Sequence, residues 1–530
     1  MGINGLWTLV KPALRQETML KFTLEKGFQA NPHGDHMLRL GIDASIWLNQ
    51  AQATTLHRSY NRGQNPELLQ LFHRMCNLLK FLLIPVFVFD GPQREAVKRN
   101  TNVSTDEHIL TEPFENLINV FGFYHHTAPG EAEADLAGLN CAGHIDVVMT
   151  DDSDVLVFGA KSIMRNPNIA EYGDYVHMYT SETIGAQPVG LTPGGLLLIA
   201  LLSGGDYHPG VKGCGIKTSY ALARAGYGDS LLHILEGASP VNLPHALTRW
   251  NTSICSELRH NESGFLSQCC PSLAASFPAD FPDLKVVRLY LKPVTSPLPL
   301  ASNWVSRDAD IGALGRLCEK HFSWGSAVEV GPRFCQYVLE GFVRRAMYQP
   351  HLILAPSEYL VVYDNNTLST SGPLNSCPIV RITRVKSVAE VAMFVVRIST
   401  TRFTELALAK MYRDRRARKR AKTVAAVEFH DITIPVTVME LAFPDVVHNY
   451  RQGTKKPRFT TKRTSKKAEH PTTVVPPEDV VDDVNMPRTF LDDVFDQVMA
   501  VKRHKKPTPK PVDACPAAGP STSRGVGTRR

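Results

Sequence analysis

The sequence predicts an α/β protein built on a mostly parallel sheet flanked by helices. Three apolar runs predict it: LRLGID (Leu38–Asp43), IPVFVFD (Ile84–Asp90) and IDVVMTDDSD (Ile145–Asp154). Each is short, rich in branched or aromatic residues, and ends in acid. Helical patterns such as Pro66–Leu82 lie between them, and strands alternating with helices imply parallel strands covered on both faces. In such sheets ligands bind beyond the carboxyl ends of the strands. Asp43, Asp90, Asp152 and Asp154 are therefore expected to meet at one edge.

The chain has 530 residues, enough for two or three domains plus extensions, and its 43% apolar content suits a large core. No run of eighteen apolar residues occurs, so no transmembrane helix is expected and no membrane partner. The opening MGINGLWTLV has neither the basic start nor the long apolar stretch of a secretory signal. Its sixth residue, Leu6, also breaks the myristoylation pattern. Ten scattered cysteines form no CxxC pair, which removes zinc-knuckle spacing and favours a reducing compartment. The net charge of +7 is concentrated late, in RDRRARKRAK (Arg413–Lys422), KKPRFTTKRTSKK (Lys455–Lys467) and KRHKK (Lys502–Lys506). From about Tyr450 large apolar residues thin out, so a disordered basic tail is expected. Such a tail serves solubility, nuclear localisation or nonspecific attraction to nucleic acid.

The stretch APGEAEADLAGL (Ala128–Leu139) holds Glu131, Glu133 and Asp135 at alternate positions. On a helix, positions two apart point to different sides. Glu131 and Glu133 converge only if Glu131 sits in the turn that Pro129-Gly130 supplies before the helix. Acids are also favoured in a first helical turn by the macrodipole, so capping is the competing reading. With Asp206, which ends the helical run GLLLIALLSGGD (Gly195–Asp206), the rim would hold six or seven carboxylates. So many cannot all ionise without cations. Two Mg²⁺ ions about 3.5–4 Å apart would answer that need and drive phosphodiester cleavage. A haloacid-dehalogenase reading fails, because GIDAS (Gly41–Ser45) lacks its second Asp.

GVKGCGIKTS (Gly210–Ser219) spaces Gly210, Gly213 and Gly215 so that backbone N–H groups can approach phosphate at a helix N-terminus, with Lys212 and Lys217 adding charge. After Asp90 come Arg94, Lys98 and Arg99. If this segment is helical, Arg94 and Lys98 share a face near the acids and form a phosphate clamp. The interval from Asp90 to Glu131 is short, and Arg94–Thr101 is expected to make about two helical turns there.

These residues resemble the flap-endonuclease/XPG structure-specific nuclease family. The resemblance is carried by MGINGLW, GIDASIWL, VFVFDG, VKRN, APGEAEADLAGL, TDDSDVLVFG and LLSGGDYHPGVKGCGIKTS, over roughly residues 1–340. Trp7 makes it most similar to the XPG and Gen-type Holliday-junction resolvase branches. The resemblance implies a PIN-like nuclease core with metal ligands at Asp43, Asp90, Glu131, Glu133, Asp152, Asp154 and Asp206, and leaves out Asp135 and Asp151. It implies that Gly2 lies near the active site, that Lys98 and Arg99 assist catalysis, and that Mn²⁺ can replace Mg²⁺. It also implies a helix-two-turn-helix around Gly210–Ser219 that holds one duplex arm with Lys212, Gly213, Gly215 and Lys217, while Gly2, Arg94, Lys98 and Arg99 meet DNA beside the acids. In the family that motif binds K⁺ through carbonyls, which would here be those of Val211 and Cys214. Gly210 stands where the family often has a Ser ligand.

Past residue 355, YLVVYD, PIVRITRV, MFVVRIST and FHDITIPV alternate as short strands, similar to the small chromodomain-like module of the Gen-type resolvases. The expected organisation is a nuclease core in two parts (1–100 and 101–240, the second with the helix-two-turn-helix), a helical extension (241–350), the β module (355–447) and the tail (448–530). The expected function is Mg²⁺-dependent cleavage of branched double-stranded DNA, a Holliday junction or a 5′ flap, in the nucleus. A monomer in solution would pair on a four-way junction. The alternatives are a 5′-flap endonuclease or 5′-exonuclease of the same family, and a non-catalytic scaffold that binds DNA structures.

Overall fold

The main sheet has seven strands in the order β1-β9-β8-β7-β2-β3-β6. In sequence they are β1 (Arg15–Thr18), β2 (Leu38–Asp43), β3 (Leu83–Phe89), β6 (Tyr124–Thr127), β7 (Val147–Met149), β8 (Ser162–Arg165) and β9 (Tyr175–Thr180). Five consecutive strands, from β8 to the β6 edge, are parallel, with Leu38 opposite Leu83 and Asp43 opposite Val88. β9 and β1 close one edge antiparallel. The computed structural model describes residues 2–454 except 31–35, 57–64, 99–100, 103–107, 166–173, 299–303, 323, 325–326, 349–361, 365–366, 370–378 and 412–428.

Every residue of β3 is buried, as its unbroken apolar run requires of a strand covered on both faces. At Gly41 in β2 the Ala132–Cys141 helix comes so close that a Cβ would stand 2.6 Å from Leu136 Cδ2. This packing brings the helix that starts at Glu131 against the strand that ends at Asp43. The helical pattern over Pro66–Leu82 becomes a helix over Pro66–Leu78, and a turn then leads into β3. The third acidic run forms strand only over Val147–Met149. Its acids lie in the turn and short helix (Asp154–Val157) beyond the strand.

The segment after Asp90 departs from expectation. Arg94–Thr101 is not helical: the described part is a minimal hairpin of β4 (Val97–Lys98) and β5 (Thr101–Asn102). Arg94 instead turns back onto Asp90, 3.2 Å away, and Lys98 reaches acids far along the chain. Arg99 lies outside the described residues.

Beyond the helical region a second, antiparallel sheet runs β10 (Val362–Asp364), β11 (Thr367–Ser369), β12 (Ile379–Val388), β13 (Val391–Ser399) and β14 (Phe429–Pro435). Ala389 and Glu390, both at positive φ, form the tight β12–β13 turn. The expected tail does not begin at 448. A helix spans Pro444–Thr454, with Tyr450 edge-on to Phe394 at 5.7 Å. The remaining tail, 455–530, and the basic run Arg413–Lys422 lie outside the described residues.

Two consecutive arginines of the Leu339–Tyr348 helix tie distant parts together. Arg344 donates to Thr433 O (2.6 Å) and Lys80 O (3.3 Å) and pairs with Glu340 at 2.9 Å. Burial opposes charge on Glu340, yet Arg344 and Lys80 hold its carboxyl down at about 2. Arg345, 2% exposed, donates to Leu83 O (2.8 Å) and Arg307 O (2.9 Å). Residues 1–460 form one compact unit by this packing.

Candidate metal and nucleic-acid site

The acids gather where the sheet topology puts them. Asp43 closes β2, Asp90 follows β3, and Glu131 is the N-cap of the Ala132–Cys141 helix with extended backbone (φ −85°, ψ 139°). Glu133 lies in that helix's first turn, so the non-helical cap lets the two glutamates converge. Asp152 and Asp154 follow β7, and Asp206 lies three residues past the Pro193–Ser203 helix. Oxygens of Glu133, Asp152 and Asp206 all lie within 4.8 Å of one another. Asp43, Glu131, Glu133, Asp152, Asp154 and Asp206 are buried, and Asp90 is half-buried.

Capping and metal ligation turn out to be compatible. Asp43 accepts from Ile46 N (3.1 Å) at the start of the Ala44–Leu56 helix, and its other oxygen accepts from Thr150 Oγ1 (3.3 Å). Asp90 accepts from Ala132 N (2.9 Å) and Ser45 Oγ (2.8 Å). Each helix start thereby orients a carboxylate toward the rim. Asp154 Oδ1, by contrast, is buried with no hydrogen-bond partner among the described residues. An orphaned carboxylate oxygen beside three clustered ones fits a hard divalent cation.

The electrostatics agree. Burial first, then Asp90, raises Asp43 to about 7. Glu133 and Asp154 are pushed well above the carboxylate range by burial, and Asp154 further by Asp152 and Asp206. Burial also raises Asp152 and Glu131. Lys98 Nζ enters this cluster at 2.8 Å from Glu131, 3.3 Å from Glu133 and 3.5 Å from Asp206. Burial works against the ammonium, but Glu133 and Glu131 hold its proton well above the ordinary value.

These raised values dictate a pH signature. A carboxyl whose folded pKa exceeds its unfolded one contributes stability that is present below the unfolded pKa and lost as pH rises through the folded one. For Asp43 that window runs from 3.8 to about 7. Without metal, the acid rim is expected to lower the melting temperature as pH rises through this window. Added Mg²⁺ should stabilise more at pH 8 than at pH 5.5. Differential scanning fluorimetry with and without Mg²⁺ at both values checks this, and an Mg²⁺ shift independent of pH would contradict it.

The two acids left out of the ligand set have other partners. Asp151 pairs with Arg165 at 3.0 Å, and its carbonyl accepts from Trp7 Nε1. Asp135 accepts from Ser296 N (2.6 Å) and lies 2.9 Å from His126 Nε2, which clamps the 292–298 segment beside Gly130. Gly2 lies against the acids: a Cβ there would stand 2.3 Å from Asp152 Oδ1 and 2.5 Å from Asp154 Oδ1. Tyr207 donates to Glu131 Oε2, Tyr290 donates to Asp154 Oδ2 at 3.4 Å, and Ile3 N donates to Ser153 Oγ at 2.7 Å. Sequence reasoning missed Tyr207, Tyr290, Ser153 and Thr150. Adjacency in sequence was the local signal for three of them: Tyr207 follows Asp206, Ser153 lies between Asp152 and Asp154, and Thr150 precedes Asp151.

The glycine loop forms as expected. Gly210 and Gly213 take positive φ (84° and 87°), and Gly215 is the N-cap of the Ile216–Arg224 helix. Lys212, Gly213, Gly215 and Lys217 are exposed. Val211 O accepts from Cys214 N at 2.9 Å, and Val211 and Cys214 are buried.

Comparison with known proteins accords with this geometry. Residues 1–108 match the XPG N-terminal domain and residues 122–206 the XPG I-region. Over these two stretches the chain is similar to the flap-endonuclease/XPG family. Gen-type members are among the proteins it resembles. Flap endonuclease GEN homolog 1 of Homo sapiens is 30% identical over 275 residues, 48% of this chain and 27% of that protein. The Mus musculus protein is 29% identical over 252 residues, 44% of this chain and 26% of that protein. The matched part thus spans about a quarter of these curated relatives. The Holliday junction-resolving enzyme GEN1, solved with product DNA and Mg²⁺, is 26% identical with a TM-score of 0.64, over 86% of this chain and all of that one.

Proposed function

We propose that the chain is a Mg²⁺-dependent structure-specific endonuclease that cleaves branched DNA, with the four-way junction as its preferred substrate. The observation that carries this is the rim of seven acids at the strand ends, with three oxygen donors within 4.8 Å and an orphaned Asp154 oxygen beside them. The fold match to an enzyme solved with product DNA and Mg²⁺ supports it.

Glu133, Asp152 and Asp206 would hold one ion, and Asp43, Asp90, Glu131 and Asp154 complete the donor set. Divalent metal bound there supplies an acidified water and charge for the leaving oxygen. Mn²⁺ is expected to substitute. Arg94 and Lys98, which pair with the acids from the hairpin side, would meet the incoming phosphate, and Arg99 follows them in sequence. Gly213 and Gly215 present backbone N–H groups, and with Lys212 and Lys217 they would hold one duplex arm. A K⁺ ion at the carbonyls of Val211 and Cys214 would steady that loop; a neighbouring structure of junction-resolving GEN-1 contains potassium. The nuclease core would comprise 1–240, with 241–350, 355–447 and the following tail as appended parts. The basic clusters after Lys455 would favour nuclear entry.

Only 41 positions separate Asp90 and Glu131, and the described part between them holds a two-residue-strand hairpin and the Thr111–Val120 helix. So little chain cannot close a long cap around a free 5′ end, which favours a substrate without one. A cruciform plasmid tests the choice: paired nicks in one binding event, through two monomers meeting on the DNA, give linear product. Predominantly open circles, with strong cleavage of free-ended flaps, would overturn the junction reading in favour of the flap reading.

A further inference from the structure

Lys98 occupies an unusual place for a residue expected to meet DNA. Its ammonium lies within 3.5 Å of Glu131, Glu133 and Asp206. Two of those acids, Glu133 and Asp206, belong to the three-carboxylate cluster with Asp152. Arg94, four residues earlier, pairs with Asp90. The rim is thus partly neutralised by side chains from the short segment after β3.

A hard divalent ion needs those same oxygens at about 2.0–2.1 Å in near-octahedral order. An ammonium among them competes for the lone pairs and repels the ion at close range. Lysine is suited to leave, being a point charge on a flexible four-carbon stem, and Lys98 keeps 21% of its side chain exposed. A phosphodiester oxygen offers the ammonium an equivalent anionic partner.

We propose that Lys98 is a resident counter-ion that weakens the acid rim's hold on divalent ions until a DNA phosphate draws the ammonium away. The inference rests on the metal-dependent reading above. It makes substrate binding and metal loading mutually reinforcing, since any such coupling is reciprocal. A lysine that only clamps phosphate would leave metal affinity in the absence of DNA untouched. A lysine that only supports the acids structurally would, once removed, weaken metal binding.

The test is Mn²⁺ titration of the full chain without DNA, followed by the electron paramagnetic resonance of free Mn²⁺. Lys98→Met is expected to bind Mn²⁺ at least tenfold tighter than wild type, and Lys98→Arg to stay near wild type. A nicked product duplex should raise wild-type affinity toward the Lys98→Met value and change the variant little. Circular dichroism checks folding, and Lys98→Gln replaces the Met variant if that one unfolds. Equal or weaker Mn²⁺ binding by the folded neutral variant overturns the counter-ion proposal. Absence of Mn²⁺ binding in wild type and variant alike overturns the metal-dependent reading itself.

Discussion

Asp152→Asn is expected to lower DNA cleavage by roughly a thousandfold while leaving branched-DNA binding in Ca²⁺ near wild type. The substitution keeps shape and packing: Asp152 Oδ1 accepts from Asp154 N at 2.9 Å, and an amide oxygen can do the same. What disappears is one charge in the three-oxygen cluster. Because burial and Asp206 both disfavour charge on this carboxyl, its loss should leave the metal-free melting temperature unchanged or higher. The expected signature is therefore a better-folded, inactive protein that still binds junctions. Near-wild-type cleavage by Asp152→Asn with Mg²⁺ would show that the chemistry lies elsewhere.

Gly91→Ala should damage folding and cleavage together. A Cβ at Gly91 would stand 1.8 Å from Ala128 O and 2.5 Å from Pro129 O, both backbone atoms. The two turns are also joined by Gly91 N to Gly130 O (2.7 Å) and Gln93 N to Pro129 O (3.0 Å), so neither can retreat alone. Separation would carry Asp90 away from Glu131. The expected cost is about 3 kcal/mol, which for a chain of this size lowers the melting temperature by roughly 3 °C. Gly138→Ala is the internal control, since no atom lies within 4 Å of its added Cβ and the site is helical. That change should be neutral or slightly stabilising. Equal melting temperatures for the two variants would contradict the close contact of the turns.

How far the site was legible in the sequence depended on how local its causes are. Asp43 and Asp90 could be placed because short, all-buried strands announce themselves, and their ends follow. Glu131 and Glu133 could be placed because Pro129-Gly130 marks the helix start. The hairpin at Val97–Asn102 was misread as helix because Arg94 and Lys98 sit four apart, a helical spacing. Their actual partners, Asp90 for one and Glu131, Glu133 and Asp206 for the other, outweigh that weak local preference. Tyr290 escaped notice for the same reason, lying 136 positions from the carboxylate it meets. The helix over Pro444–Thr454 sits in largely polar sequence, yet Tyr450 anchors it on Phe394, a contact no composition average can register.

The Arg344–Arg345 pair has a consequence for how the protein is made. The guanidinium that caps the Leu83 carbonyl at the start of β3 is encoded 262 positions later. At a ribosomal pace of about 5–20 residues per second, the strand leading to Asp90 emerges roughly 13–50 s before its cap exists. During that interval the nascent chain holds its acids without the contacts that fix β3 against the later helices. A growing polypeptide thus acquires a fully braced β3, and with it a braced acid rim, only after residue 345 has been added. The order of synthesis postpones the full bracing of β3 until most of the compact unit has been translated.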